Sequence, residues 1–485
     1  MSVSEELVDL ALDAAQASGI AYADVRLISP QRYLNLAVQD GAASALTSTL
    51  SSGLGVRVRT DRAWGFAGTG ELTPSAARAT ARFAVRLARA ASRTAPEPLR
   101  LTDEKGPKNG RYVTAVRHDP FEVSREEAVA LLTAAEKRLH VSPEVKSGVA
   151  SFQAWDETKT FRSSAGVSFR SRIVHVGAGV HATAVRGGMV QRRSAPSSFG
   201  GDYRQAGFEF VRGLGLEERA EGVGKEAVQL LDAPACPTGP TTLVLGSSQL
   251  ALQVHESVGH AVELDRIYGS EAAYAGTSWV TPERIGTLDY GSDLMNVVAD
   301  ATEPGGLGTF GWDDEGVPAQ RVPIVRSGTL VGVLSSREAA ARLGLEHSGG
   351  TARADGPERA PLIRMTNIDL EPGDLSFEEV LEDVEEGVYL ETNRSWSIDD
   401  KRLNFQFGTE VGHRIVRGEL RELVRNPIYS GMTPEFWNSM DAVGDRSTWH
   451  LWGVPNCGKG QPSQAARVSH GAPVARFRRV AVRGG

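Results

Sequence analysis

The stretch SSQLALQVHESVGHAV, residues 247–262, places two histidines and a glutamate inside a run with helical spacing. Its aliphatic side chains recur every three or four positions, at Leu250, Val254, Val258 and Val262. Such spacing is typical of a helix with one apolar face, and Ser247 can cap its first turn by accepting from a free backbone amide. The stretch therefore predicts a helix that begins near Ser247 and carries the pattern HExxxH.

The two histidines of this pattern are five residues apart, which raises a geometric problem. Successive residues of an α-helix are about 100° apart, so His255 and His260 would lie roughly 140° apart around the axis. A straight α-helix would not direct both imidazoles at one metal ion. We therefore predict either one wide turn that absorbs the extra residue or a break in the helix, and Gly259 is suited to permit either.

The pattern HExxxH also resembles the HExxH of zinc peptidases, with one residue added. In that motif two histidines bind the metal and the glutamate acts on water. Two histidines can equally fall at this spacing by chance, with one packed in the core and the other at the end of a helix. The motif by itself leaves both interpretations open.

Upstream of this stretch, helical and strand patterns alternate. Residues 4–18 carry apolar side chains at helical spacing, and Gly19 is placed to end that helix. Asp40-Gly41 follows an alternating run and is suited to a tight hairpin turn. Asp61-Arg62 separates two further strand-like runs and predicts a second hairpin. Helix and antiparallel sheet are therefore mixed in this region.

A second long helix is predicted from Thr73-Pro74 to about Arg93. Threonine can cap the free amides of a first turn, and proline fits the first helical position. Phe83, Leu87 and Ala90 recur at helical spacing, so we expect them to share the face that packs on the core.

Two breaks rich in proline and glycine, at residues 96–110 and 232–240, divide the chain. They predict an N-terminal α+β domain over residues 1–105, a middle domain over 106–235 and a C-terminal domain over 236–485 that carries HExxxH. The middle domain is expected to contain a helix from about Ser124 to His140. The predicted fold class is α+β, with mixed helix and largely antiparallel sheet.

Composition excludes several classes of protein. The apolar share of 41% and charged share of 23% are typical of a soluble globular chain. The net charge of −7 is modest and the basic residues are scattered, which argues against a nucleic-acid partner. The sequence lacks a secretory signal and an apolar run long enough to span a membrane. Two cysteines, Cys236 and Cys457, favour a reducing compartment, so we expect a cytoplasmic protein with no membrane partner.

A glycine-rich loop near the end, Asn456-Cys457-Gly458-Lys459-Gly460, presents one of these cysteines. HExxxH at the start of the C-terminal half, together with this CGKG loop, resembles the TldD/PmbA family of metallopeptidases, specifically its metal-bearing TldD-type subunit. Three other parts of the sequence are similar to the same family: residues 22–26, residues 52–66 and residues 349–367. The resemblance thus extends over nearly the full chain.

The resemblance implies a TldD/PmbA-like multi-domain architecture with a catalytic C-terminal domain. It also implies that His255, His260 and Cys457 bind the metal while Glu256 is the general base that acts on a water at a zinc ion. Two imidazoles and a thiolate leave one zinc position open, which is typical of a catalytic site. Iron or another divalent ion could use the same ligands.

For partners, the resemblance implies short or unfolded peptides as substrates. It also implies a dimer, either with a related metal-free subunit of the PmbA type or with a second copy of the chain. Two other functions remain open. One is a non-hydrolytic modulator or binding protein whose metal stabilises the fold, and the other is an amidase that acts on modified peptides.

Other residues near the motifs receive structural interpretations. Glu263 and Asp265 follow the HExxxH helix, and acidic residues at a helix end are usually solvated, so we expect both in solvent. Cys236 lies among prolines without a partner motif and is expected to be structural. The segment from Thr392 to Phe407 matches the family less clearly.

Overall fold

The computed structural model describes the chain from residue 3 to residue 485. Helices and largely antiparallel sheets are mixed throughout, which confirms the predicted α+β class. None of the helices in residues 3–485 combines the length and the apolar character that crossing a membrane would require.

Residues 3–232 form one large sheet with helices packed against it. Its strands are β1 (Tyr22–Gln39), β2 (Ala42–Arg59), β3 (Trp64–Thr69), β4 (Gly110–Val113), β5 (Val145–Ser163), β6 (Ser168–Arg186), β7 (Met189–Ala195) and β8 (Asp202–Arg204). The helices are α1 (Val3–Gln16), α2 (Pro74–Ser92), α3 (Arg125–Leu139), α4 (Phe208–Gly213) and α5 (Leu216–Asp232).

The strands follow the order β3-β2-β1-β5-β6-β4, and β7 and β8 also pair with β6. All neighbours are antiparallel except β4 and β6, which are parallel. Because β1 pairs with β5, residues of both blocks predicted before residue 235 contribute to this one sheet. The division of the chain into three domains stays a prediction.

Local signals in this region are confirmed at several turns and caps. The predicted hairpins lie where expected, since β1 pairs with β2 across Asp40-Gly41 and β2 pairs with β3 across residues 60–63. The Thr73 side chain accepts from Ala76 N at the start of α2, and the Ser124 side chain accepts from Glu127 N at the start of α3.

The predicted buried face of α2 is wrong. Phe83 and Leu87 are exposed, at 47% and 37% of their surface. The buried face consists of small residues and one valine: Ala77, Thr80, Ala81, Ala84, Val85 and Ala88. The helix approaches β3 so closely that a Cβ on Gly65 would lie 2.2 Å from Ala84 O. Only small side chains fit at that distance, which turns the large ones outward.

The C-terminal half contains the remaining elements. Its strands are β9 (Gly239–Leu245), β10 (Val297–Asp300), β11 (Arg321–Arg326), β12 (Thr329–Leu330), β13 (Ala352–Arg353), β14 (Leu362–Ile363), β15 (Ile368–Leu370), β16 (Glu386–Ile398), β17 (Asn404–Val416), β18 (Glu419–Val424), β19 (Pro427–Met432), β20 (Met440–Val443), β21 (His450–Lys459), β22 (Gln464–Ala472) and β23 (Ala475–Gly484). The helices are α6 (Ser247–Val254), α7 (Leu264–Ile267), α8 (Arg337–Leu343), α9 (Phe377–Glu382) and α10 (Thr433–Asn438), with a π-helical turn at His255–Gly259 and a 3-10 turn at Pro282–Arg284.

Five of these strands close into a ring. The order β16-β9-β23-β19-β17 returns to β16, because β16 pairs with β17 as well as with β9. A four-stranded sheet, β12-β11-β10-β15, and the two-stranded hairpin β21–β22 pack beside the ring. The largest buried cluster of apolar side chains joins these parts and includes α6. The helix that carries HExxxH therefore lies inside the core.

Candidate metal centre

The helix that carries the two histidines changes its geometry at the first of them. Strand β9 ends at Leu245, and α6 continues from Ser247 to Val254. The next five residues, His255–Gly259, form a π-helical turn, in which His260 N–H donates to His255 O at 3.2 Å. This hydrogen bond spans five residues in place of four. The predicted wide turn is confirmed.

The predicted cap of this helix is wrong by one residue. Gly246 is the N-cap, and no side chain caps the first turn. Ser247 is already helical, and its hydroxyl donates to Ala472 O at 2.5 Å. The serine thus anchors the helix to the end of β22 instead of satisfying its own backbone amides.

Gly259 leaves room for a neighbouring side chain. A Cβ at this position would lie 2.3 Å from Met365 Sδ, which is closer than any real contact. Met365 is itself fully buried. The glycine therefore allows the residues before β15 to pack directly against the π-helical turn.

Three side chains with metal-binding atoms meet at this turn. His255, His260 and Cys457 are all buried, and their ligand atoms lie within 4.8 Å of one another. Cys457 Sγ lies 3.7 Å from His260 Nε2. Tetrahedral zinc with ordinary bond lengths would separate a sulfur and a nitrogen ligand by about 3.6 Å. The spacing of these atoms fits one metal ion.

The tautomer of His255 follows from its neighbours. His255 Nδ1 lies 2.7 Å from His470 Nε2, and His470 Nδ1 lies 3.1 Å from Ile368 O. A carbonyl can only accept, so His470 carries its proton on Nδ1 and accepts at Nε2. His255 must then donate from Nδ1. Its Nε2 lone pair is left for a metal ion.

His260 has an acidic partner that fixes its tautomer in the same way. Its Nδ1 lies 3.0 Å from Glu263 Oε2, so Nδ1 donates and Nε2 keeps a lone pair. Glu263 is fully buried, which contradicts the expectation that it lies in solvent. Partners of this kind orient a ligating imidazole and raise its basicity.

A buried lysine from the CGKG motif, whose first three residues end strand β21 and do not form the predicted loop, holds Glu263. Lys459 Nζ lies 3.1 Å from Glu263 Oε2 and 2.7 Å from Asp265 Oδ1, and the lysine is completely buried. Asp265 is only partly exposed, so the expectation of a solvated residue is wrong for it too. Burial lowers the pKa of Lys459, but the charges of Asp265, Glu263 and Glu271 outweigh this and raise it above its ordinary value. The lysine therefore stays charged.

Glu256 points toward an arginine at the tip of another hairpin. Arg402 Nη1 donates to Glu256 Oε2 at 2.7 Å, and both side chains are largely buried. Arg402 lies between β16 and β17, in the segment from Thr392 to Phe407. Two backbone hydrogen bonds of 2.9 Å, from Thr277 N and Trp279 N, tie this hairpin tip to the chain that follows α7.

Electrostatics favour the protonation states that metal ligands need. Burial lowers the pKa of His255, and it lowers that of His260 well below the ordinary value. Burial raises the pKa of Cys457, but its interactions with the His260 ring and the guanidinium of Arg364 outweigh burial, so the net shift is downward. By contrast, burial raises the pKa of Cys236 to about 11. Cys236 stays a thiol in an apolar setting, consistent with a structural residue.

The structure thus brings the three predicted ligand residues together, with Glu256 on the same turn, and adds three residues that the sequence analysis missed. His470, Lys459 and Arg402 each contact one of the four or its direct partner. Lys459 lies inside the quoted loop, and its place between two glycines was the one available signal. His470 and Arg402 have no spacing relative to HExxxH that could have identified them.

Family models cover most of the chain in three consecutive matches. Residues 23–88 match the PmbA/TldA metallopeptidase domain 1, residues 118–233 match the central domain, and residues 238–484 match the C-terminal domain.

Two relatives indicate how far the likeness extends. A protein of Methanothermobacter thermautotrophicus named a metalloprotease is 31% identical over 468 residues, with 96% of each chain covered. A protein of Saccharolobus solfataricus named a zinc metalloprotease TldD homolog is 26% identical, with 54% of this chain and 55% of the relative covered.

Solved structures share the fold. A Thermotoga maritima protein described as a candidate modulator of a DNA gyrase superposes with a TM-score of 0.74 at 18% identity, covering 99% of both chains. TldE from Thermococcus kodakarensis superposes with a TM-score of 0.73 at 16% identity, covering 100% of both. At these identities the likeness concerns the fold alone, which is TldD/TldE-like.

Proposed function

Because the chain belongs to the PmbA/TldA metallopeptidase family, we propose that it is a zinc-dependent peptidase that hydrolyses short or unfolded peptides. His255, His260 and Cys457 would hold the ion, and Glu256 would be the general base. The observation that supports this best is the convergence of three ligand atoms within 4.8 Å, on a turn that also carries Glu256.

The donor set fits zinc. Two imidazole Nε2 atoms and one thiolate are ligands that zinc accepts, and they would leave a fourth position for water or substrate. The same set could hold iron or another divalent ion, so metal identity is part of the test. When bound, the ion would lower the pKa of a water molecule and polarise the scissile carbonyl.

The protein's own residues would supply positioning and proton transfer. Glu256 lies between the two histidines in sequence, and its carboxylate can take a proton from the attacking water and deliver it to the leaving amine. Arg402 holds one carboxylate oxygen at 2.7 Å and so restricts the rotation of the side chain. His470 and Glu263 keep the imidazoles in their required tautomers.

Burial of the centre supports extended peptides as the substrates. Glu256 is 6% exposed, and the hairpin tip with Arg402 covers it. A folded protein could not bring a peptide bond to such a depth, whereas an extended chain could. We further propose that the protein acts in the cytoplasm as a dimer, with a related metal-free subunit or with a second copy, as the family resemblance implies.

The test compares four full-length proteins: the wild type, Glu256→Gln, Cys457→Ser and Cys236→Ser. The wild type should hold about one zinc per chain and cut an unfolded peptide. Glu256→Gln should keep the metal and lose about 10²-fold or more of kcat/KM. Cys457→Ser should lose both metal and activity, while Cys236→Ser, the control at the other cysteine, should keep both.

Two outcomes would point to the other functions. If Glu256→Gln retains the wild-type effect on a partner protein and no peptide is cut by either, the chain is a binding or modulator protein. If mass spectrometry of the products shows only side-chain or capping amides released from modified peptides, it is an amidase. Metal retained in full by Cys457→Ser would remove that cysteine from the ligand set.

A further inference from the structure

A second polar cavity lies between the large N-terminal sheet and the C-terminal half. It has a volume of about 50 Å³. Ser171, Ile173 and His175 alternate along β6 and line one wall, while Arg353 and Arg467 line the opposite side. The residues that line it include neither Glu256 nor any of the three candidate metal ligands, so the cavity is separate from the metal centre.

The two arginines at this cavity lack acidic partners. No carboxylate oxygen of residues 3–485 lies within 4.0 Å of either guanidinium. Arg353 donates to Met365 O at 2.9 Å and to Arg467 O at 2.8 Å. Arg467 donates from Nε to His175 Nδ1 at 2.9 Å. The remaining guanidinium hydrogens of Arg467 have no acceptor in the described chain.

The carboxylates that also line the cavity are already engaged. Asp314 pairs with Lys159 at 2.7 Å and with Arg26 at 3.5 Å, and Glu157 pairs with Lys159 at 3.2 Å. Lys159 and Arg26 thus already neutralise two of the carboxylates that line the cavity. A third acid, Asp313, accepts from three backbone amides, and burial raises its pKa well above the ordinary value. The charges of the lining residues balance, but the carboxylates are already engaged, so the guanidinium of Arg467 keeps donors that no acid of the cavity takes up.

An unsatisfied donor points into the same space. Because Arg467 can only donate, His175 must accept at Nδ1, and the neutral ring therefore carries its proton on Nε2. Burial and the charges of Arg467 and Arg353 lower the pKa of His175 well below its ordinary value, although a backbone interaction with Leu307 opposes the shift. The ring is neutral, 3% exposed, and its Nε2 has no hydrogen-bond partner.

We propose that this cavity binds one small carboxylate-type oxyanion, with Arg467, Arg353 and the Nε2–H of His175 as its donors. A single water needs about 10–15 Å³ of such volume, so a cavity of this size suits a group of three or four heavy atoms such as formate, acetate or bicarbonate. A guanidinium matches the two oxygens of a carboxylate in one plane. The inference does not depend on the proposed peptidase function.

The carboxylate could come from a free small acid or from the C-terminus of a bound peptide. The test uses the metal-loaded full-length chain and follows the melting temperature while sodium formate or acetate replaces a bulky sulfonate salt at constant ionic strength. The wild type should show a saturable rise of several degrees. Arg467→Gln should weaken the apparent affinity at least tenfold, whereas Arg62→Gln, at an exposed arginine that donates to backbone carbonyls, should not.

A competition experiment identifies whether the bound carboxylate comes from a free small acid or from the C-terminus of a peptide. A short peptide acid that displaces formate while its C-terminal amide does not would assign the site to peptide termini, and no displacement by either would assign it to free small acids. No saturable stabilisation of the wild type, or an equal response in Arg467→Gln, would overturn the proposal. If Arg467→Gln does not fold, crystals of the wild type grown with formate decide: water alone in the cavity would reject the site.

Discussion

His255 and His260 each depend on a hydrogen-bond partner that decides which nitrogen carries the proton. His470 accepts from His255 at 2.7 Å because its own proton is used toward Ile368 O. Glu263 accepts from His260 at 3.0 Å. In both cases the proton sits on Nδ1 and the lone pair of Nε2 faces Cys457. Ligand competence at this centre is therefore a property of five residues, not three.

His470→Phe removes the acceptor for His255 Nδ1–H while keeping a ring of similar size. We expect metal affinity to fall about 10- to 100-fold, as is common when the partner of a ligating histidine is removed. Competition with a chelator of known affinity measures the change. His347→Phe, at a side chain that is 64% exposed, is the control. Equal metal affinity in both variants would mean that His470 has no role in binding.

The positive charge of Lys459 is buried, so only the neighbouring carboxylates can stabilise it. Lys459→Met would leave the buried carboxylates of Glu263 and Glu271 without this cation. We expect a loss of about 3–5 kcal/mol in the free energy of unfolding of the metal-free protein. Lys225→Met is the matched control, because that lysine is 59% exposed and pairs with Glu221 on one helix face; its effect should stay below about 1 kcal/mol. Similar losses of unfolding free energy in Lys459→Met and Lys225→Met would contradict a specific role for Lys459 and its buried carboxylate partners.

At the scale of the element, the π-helical turn allows two histidines five positions apart to direct their rings at one metal site. The histidines are five positions apart in sequence, and the hydrogen bond from His260 N to His255 O closes over the same interval. The turn is wide enough to bring the two rings to a centroid distance of 4.9 Å. Gly259 allows the wide turn to remain packed, because Met365 occupies the space that a side chain would need.

Gly259→Ala should therefore destabilise the protein, and the size of the loss should depend on the Met365 side chain. A Cβ forced against the buried thioether should destabilise the metal-free protein by about 1–3 kcal/mol, a typical range for overpacking. Met365→Ala alone should cost about 2–5 kcal/mol through the cavity it leaves. In the double variant the new methyl group has room, so the combined loss should be smaller than the sum of the single losses. Chemical denaturation measures all three, and strict additivity would show that the two residues do not compete for space.

Helix α2 shows where local reasoning stops. Its start, its cap and its length follow from Thr73, Pro74 and the helical spacing, all of which act within a few residues. The buried face of α2 does not follow from these local signals, because it depends on how near β3 lies. The short distance between Gly65 and Ala84 selects the alanine face and leaves Phe83 in solvent. Hydrophobicity alone selects the opposite face.

On the scale of the whole molecule, several buried carboxylates join the two halves of the chain, and Glu410 is one of them. Glu410 on β17 accepts from Ser194 N and Ser194 Oγ, each at 2.7 Å, and also pairs with Arg193 Nη1 at 3.3 Å and Arg192 Nε at 3.7 Å. Ser194 and Arg193 belong to β7 of the large N-terminal sheet. We therefore expect this contact to couple the unfolding of the N-terminal sheet to that of the strand ring beside the metal centre.

Glu410→Ala would leave Arg193 and the Ser194 amide unsatisfied at this junction. We expect a loss of about 3–5 kcal/mol and a broader unfolding transition as the halves uncouple. Glu226→Ala removes a different carboxylate from the same arginine, but that carboxylate is 42% exposed, so the loss should be about 1 kcal/mol or less. Calorimetry distinguishes the two. A single sharp transition with equal losses would contradict a junction role for Glu410.

The sequence by itself determined the features that act over a few residues. These are the hairpin turns, the cap of α2, the start of α3, the mixed α+β class and the need for a departure from straight α-helix between His255 and His260, because each follows from backbone geometry over a few residues. The family resemblance supplied Cys457 as a third ligand. The structure places its sulfur beside His260, 197 positions away in sequence.

Only the tertiary structure decided what surrounds these ligands. His470 is 215 residues from His255, and Arg402 is 146 residues from Glu256. Contacts over such separations have no periodicity that a sequence can display. They arise because β22 and the hairpin tip between β16 and β17 pack on the π-helical turn. Because these side chains are buried, water cannot replace a missing partner. Their charge and protonation state therefore depend on the few protein groups that contact them.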